Sequence, residues 1–268
     1  MRRIIWRELV NRKWSLFWYC FAGVVMLWIY AATYKSSVAS AQQLLDVVKT
    51  YPKALIEAFG LNSLTGGSSI ETYLNGKHFS FLWPILAIVL MLSRAGSQFA
   101  GEIQDRTLGL LLSAPIHRLR IFVAKYVAGL VTIAIFAALS IFPIVPLAGA
   151  YGIQTHIHIL LSMWTLSVLF MWAVYAFGLV LSCFVSQSGR VYALGAGLLL
   201  LSYIANIVAL LDDKVAWLKH FSIFHYFDTA SVLSTGYIGA HAVEVFAAII
   251  IIATAVAAWQ FNRRDIAV

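Results

Sequence analysis

Charge is absent from Trp14 to Tyr34, a run of 21 residues bounded by Lys13 and Lys35. A helix needs about 20 apolar residues to cross the hydrocarbon of a bilayer, so this run predicts a first span over about 14–34. The same pattern recurs. A second span is predicted over about 79–100, with Pro84 in its first turns, where a missing N–H is cheap, and Arg94 near its end. A third covers about 121–150, and Pro143 and Pro146 predict a kink or break near its far end. The fourth, about 159–186, is long enough to tilt. The uncharged run Val191–Leu211 gives the fifth, tightly linked to the fourth through Ser186-Gln187-Ser188-Gly189-Arg190. The sixth covers about 240–261.

The remaining segments are short. Residues 1–13 set Ile4, Ile5 and Leu9 against Arg2, Arg3, Arg7 and Arg12, an amphipathic helix suited to an anionic membrane surface. Between 35 and 78 a separate loop helix is expected from Leu44, Leu45, Val47, Val48 and Tyr51. A second turn is expected from Pro52 through Leu55, Ile56 and Phe59 to a stop at Gly60. Before the sixth span, Trp217, Phe221, Phe224, Tyr226 and Phe227 predict an interfacial aromatic helix or a lid. A cleaved signal peptide ending at Ala39-Ser40-Ala41 is disfavoured by the length of the first apolar run. The expected fold is therefore a single all-α, six-span membrane domain over 1–268.

Composition agrees. Of 268 residues, 62% are hydrophobic and 11% charged, against about 25% charged in a soluble domain. The net charge of +8 does not point to nucleic acid, because the basic residues form short clusters between apolar runs. With six spans both termini share one side. Every arginine then falls on that side, joined by Lys13 and Lys125. Lys35, Lys49, Lys53, Lys77, Lys214 and Lys219 fall on the other. The positive-inside rule makes the arginine side cytoplasmic. Cys20 and Cys183 lie inside apolar runs and give neither a disulfide framework nor metal-ligand spacing.

The longest predicted cytoplasmic connection runs from Glu102 to Lys125. Leu108, Leu111 and Leu112 fall at i, i+3 and i+4 and make one apolar face of a short helix. Ser113 can cap the next helix, with Pro115 in its first turn. An apolar helix in an aqueous loop calls for a partner, or else lies on the inner leaflet.

This segment resembles the permease subunit of bacterial type-2 exporter-class ABC transporters, a six-span family. Its members carry a Glu after the second span, a Gly-Thr pair, Leu-Leu-Ser-x-Pro, a basic residue and a Lys in the third span. Here stand Glu102, Thr107, Leu111-Leu112-Ser113-Ala114-Pro115, Arg118 and Lys125. Arg106 stands where Gly is usual, which weakens the case for a tight turn before Thr107, though Gly109 could relieve strain nearby. The ending Phe261-Asn262-Arg263-Arg264-Asp265 resembles the family's aromatic-x-Arg-Arg-Asp. The resemblance implies that a coupling helix within Asp105–Ser113 docks on a separate ATPase subunit. Glu102, Asp105, Arg106, Thr107, Leu108, Leu111, Leu112, Ser113, Pro115 and Arg118 would form the binding segment. It further implies two ATPase copies, a second permease copy in a homodimer, and a location in the bacterial cytoplasmic membrane. ATP and Mg would belong to the partner, with no cofactor or catalytic residue in this chain. Its Gly76-Lys77 pair is followed by His78 and lacks the Ser/Thr of a phosphate-binding loop.

His156-x-His158, and His241 with Glu244 at i, i+3, are candidate metal ligands in an ion-transporting permease, though as readily polar residues at loop–helix junctions. An intramembrane hydrolase is disfavoured: Ser186 and Ser188 lie at the edge opposite most histidines, and His-Glu-x-x-His is missing. A stand-alone carrier or channel normally has ionisable groups in mid-membrane, and here such positions are nearly free of charge. The expected activity is ATP-driven export of a hydrophobic or amphiphilic compound such as a drug, antibiotic or peptide.

Overall fold

The computed structural model describes residues 1–48, 70–109, 117–211 and 213–264, and among them no strand occurs. Helix α1 covers Arg2–Asn11, and α2 covers Lys13–Val48, 36 residues including the first span. The expected separate helix around Leu44–Val48 is instead the continuation of α2. No Gly, Pro or other breaker lies between Lys35 and Val48, so nothing ends the helix where the apolar run ends. The second turn expected at Pro52–Gly60 lies outside the described residues.

The second span, residues 82–104, is composite and has a helical lead-in before it. Helix α3 (Ile70–Leu74) leads into a π-helical turn, Asn75–Phe79. Then come α4 (Leu82–Gly96), a second π-turn (Ser97–Gly101) and α5 (Glu102–Gln104). Wide turns of this kind are frequent at functional sites. The third span divides into α6 (Arg118–Leu139) and α7 (Ile144–Ala150). Pro143 and Pro146 have no N–H to give to carbonyls four residues back, so the helix stops before them. The gap is filled: buried Ser140 accepts a 2.9 Å hydrogen bond from the Trp83 indole of α4. The fourth and fifth spans are α8 (Ile157–Phe184) and α9 (Ser188–Leu211). A 3-10 helix (Asp213–Phe221), α10 (Ile223–Tyr226) and α11 (Thr229–Thr235) connect them to α12 (Ala240–Arg263).

Among the described residues, six helices are thus long and apolar enough to cross a membrane. Helix α8 is the hub, packed against α12, α4, α6, α11 and α9. Its most apolar window is 67% buried, against 17% for α9 and for α12, so those two leave apolar faces outward. In a membrane such faces meet lipid or another chain without penalty. The aromatic segment before α12 splits in two. Phe227 is buried, with ring centroids 5.8 Å from Trp83 and 4.4 Å from Phe170, while Trp217 and Phe221 stay exposed.

Candidate functional site

The arginine-bearing end of the bundle holds the densest polar arrangement. It is built on the second π-turn, which directs Gln98 and then Glu102 toward the third span. Lys125 of α6 has a fully buried side chain. Its Nζ donates to Glu8 Oε1 of α1 at 2.6 Å and to Glu102 Oε1 at 2.7 Å. Arg7 adds a longer ion pair to Glu102 at 3.8 Å. One ammonium therefore joins α1, the end of the second span and the start of the third. A buried cation shared by two carboxylates is held by strong, charge-assisted bonds, and losing one partner strands the others.

A neutral relay extends the cluster inward. Gln98 donates to the Lys125 carbonyl at 2.9 Å and accepts from the Tyr175 hydroxyl of α8 at 2.6 Å. Gly129 makes room for this, because a Cβ there would collide with the Tyr175 ring. Arg94, 3% exposed, donates through Nη1 to the Glu8 carbonyl at 3.0 Å. Helix α1 is thus tied by its backbone as well as its carboxylate.

The helix ends nearby are tied across long sequence separations. Gln104 accepts from the Ser188 N–H and hydroxyl at the start of α9, at 3.1 and 3.2 Å. Arg264 donates to the carbonyls of Cys183 and Val185 and to the Ser186 hydroxyl, past the end of α8. Arg118 donates to the carbonyls of Arg264 and Asn262 at the end of α12. The last carbonyls of a helix lack internal partners and carry partial negative charge, which a guanidinium satisfies on both counts.

The ten residues singled out from the sequence fall into distinct places. Glu102 belongs to the charge cluster. Asp105, Arg106 and Thr107 form an exposed turn closing α5. Arg106 sits at φ 55, and the Arg106 and Thr107 N–H groups bond Ile103 O and Glu102 O at 3.1 and 2.9 Å. This is a Schellman closure, made here with Arg in the left-handed position that Gly usually takes. The tight turn is therefore formed without the usual Gly. Leu108 is fully buried, and Arg118 caps α12. Leu111, Leu112, Ser113 and Pro115 lie outside the described residues. Glu8, Gln98 and Tyr175 were missed. For Glu8 a signal existed: at about 100° per residue it falls among Ile4, Ile5 and Leu9, a lone acid in the apolar stripe.

The opposite end carries most of the histidines and is joined differently. Buried Glu71 accepts from the His156 N–H at 2.9 Å and lies 3.2 Å from its Nδ1, capping α8 from a distant segment. Asn75 Oδ1 accepts from Thr229 at 2.6 Å and Ser80 at 3.2 Å. His78 is buried against Tyr30 and Phe79 with both ring nitrogens unpartnered, and burial pushes it down to about 3. Burial also lowers His225, helped by Lys219 and His220. Among the described residues no three His, Cys, Asp or Glu side chains gather as metal ligands would.

No curated protein matches the chain. A family model described as ABC-2 family transporter protein matches residues 3–266, and the chain belongs to that family, as the multi-pass membrane subunit of an ABC transporter that associates with an ABC ATPase.

Proposed function

We propose that this ABC-2 permease sits in a bacterial cell membrane with both termini cytoplasmic and exports a hydrophobic or amphiphilic compound. Two copies form the pathway between them, and two ATPase subunits bind the connections that follow the second spans. ATP and Mg belong to those subunits. The observation that carries the reading is the junction of Glu8, Lys125 and Glu102 at the root of the connection beginning at Glu102. Closure of the ATPase pair displaces that connection, and displacement at Glu102 acts at once on α1, α6 and, through Gln98, on α8. A charged junction exchanges partners at little cost in packing, so it suits an element with two arrangements.

Within the connection, Leu111 and Leu112 supply apolar contact to the ATPase, and Ser113 and Pro115 start the return helix. Asp105, Arg106 and Thr107 present the exposed turn. Leu108, buried against its own chain, anchors the segment, and Arg118 links it to the sixth span. The orientation rests on the arginines, all at one end. The cargo class rests on an apolar, aromatic-rich bundle whose mid-membrane positions are nearly free of charge.

Leu111→Asp is expected to abolish co-purification of the ATPase while the permease keeps its helical content and elution volume. Retained co-purification would refute the docking assignment. For orientation, Leu45→Cys should react with an impermeant thiol reagent from outside intact cells and Gln104→Cys should not. Purified complex whose ATPase no hydrophobic or amphiphilic compound stimulates would count against the cargo class.

A further inference from the structure

A cleft at the arginine-bearing end opens between α1, the start of α2, α4 and α6. Its walls include Leu9, Arg12, Ser15, Leu16, Ser93 and Arg94. The enclosed part has about 10 Å³, room for one oxygen-sized group. Arg94 forms its inner wall. Nη1 is engaged by the Glu8 carbonyl, but Nε and Nη2 are buried without a protein partner. Those two N–H groups lie along one edge of the guanidinium and form a fork that can share one oxygen of an oxyanion. Arg12, at the C-cap of α1, lines the same cleft and adds a second positive charge. The Glu8 carboxylate is bonded to Lys125 at 2.6 Å, so its attraction for Arg94 is shared with that ammonium. Two guanidiniums therefore share a cleft with no acid among its described lining residues, and their mutual repulsion eases when an anion enters.

We propose that this cleft is a phosphate-oxyanion site and that in the bilayer an anionic phospholipid of the adjacent leaflet fills it. One phosphate oxygen enters toward Arg94, and the phosphorus stays at the mouth beside Arg12. The place fits a headgroup: Arg94 follows the apolar run of α4, where the span meets the level of amphipathic α1. Leu9 and Leu16 offer apolar wall for the glycerol and upper acyl chain. A lipid held in the leaflet also reaches the site at a far higher local concentration than a free ion. The inference needs only a membrane-embedded chain and does not depend on the coupling or export reading.

The test uses the full-length chain in detergent, titrated with phosphatidylglycerol, phosphatidylcholine or inorganic phosphate. Bound lipid is counted by native mass spectrometry and stability followed by thermal shift. Phosphatidylglycerol is expected to bind and stabilise, and Arg12→Gln to weaken it about tenfold. Arg3→Gln removes the same charge from the exposed arc and should change the affinity by no more than about twofold. Equal binding of phosphatidylcholine, an unchanged Arg12→Gln, or equal losses in both variants would overturn the site. Inorganic phosphate reproducing the whole effect would overturn the lipid as occupant and leave a free-anion site.

Discussion

The two ends of the bundle face the same problem, how to hold six helix termini together, and solve it by different chemistry. At the arginine-bearing end the ties are charged and long: Lys125 with two carboxylates, Arg94 with the backbone of α1, and Arg118 and Arg264 with helix-end carbonyls. At the histidine-bearing end they are mostly neutral hydrogen bonds and stacked rings, as in Asn75 with Thr229 and Trp83 with Phe227. Ionic ties act over distance and can change partners, whereas packed rings and neutral hydrogen bonds must separate to move. The contrast identifies one end as the part that can be reset and the other as the part that holds shape.

The largest expected effect strikes the charged end. Lys125→Met leaves the carboxylates of Glu8 and Glu102 facing each other and should cost about 3–5 kcal/mol, read as a fall in Tm and in yield. Adding Glu8→Gln should restore part of the loss, and an unchanged Tm would dissolve the contrast. At the other end Glu71→Ala strips the cap from His156 and should cost about 1–3 kcal/mol, with a loss insensitive to salt. His78 sharpens the comparison through pH. Its folded value near 3 lies below the ordinary value of 6.5, so the unfolded chain binds the extra proton first. Stability from this residue is complete above pH 6.5 and falls as pH drops toward 3, about tenfold in the folding equilibrium per unit. His78→Phe should flatten that slope in acid thermal scans, and an unchanged slope would put the acid sensitivity elsewhere. The smallest effect is a gain: Arg106→Gly relieves a left-handed Arg and should add about 0.5–1 kcal/mol to the turn.

Much of this was readable from residue order. Apolar runs are local, and a helix in lipid must satisfy its own backbone, so the spans follow from composition alone. The polar stretch from Lys35 to Val48 was misread because loss of hydrophobicity was taken as loss of helix, although no breaker is present. Glu102 was found through its place in a motif, and Glu8 was findable from its position in an apolar stripe. Gln98 and Tyr175 were not, since a neutral polar side chain in an apolar run has no local mark, and these two are 77 residues apart. The same holds for Arg264, whose acceptors lie about 80 residues earlier, on another helix.

Helix α2 carries a mechanical consequence. Its 36 unbroken residues give a rod of about 54 Å, against about 30 Å of hydrocarbon. About 24 Å of it, more than two-fifths, must therefore stand clear of the apolar layer if it stands upright, mostly on the side away from α1, whose position fixes its base. A rod of that length works as an oar: a tilt of about 10° at the base would sweep its far tip through about 9 Å.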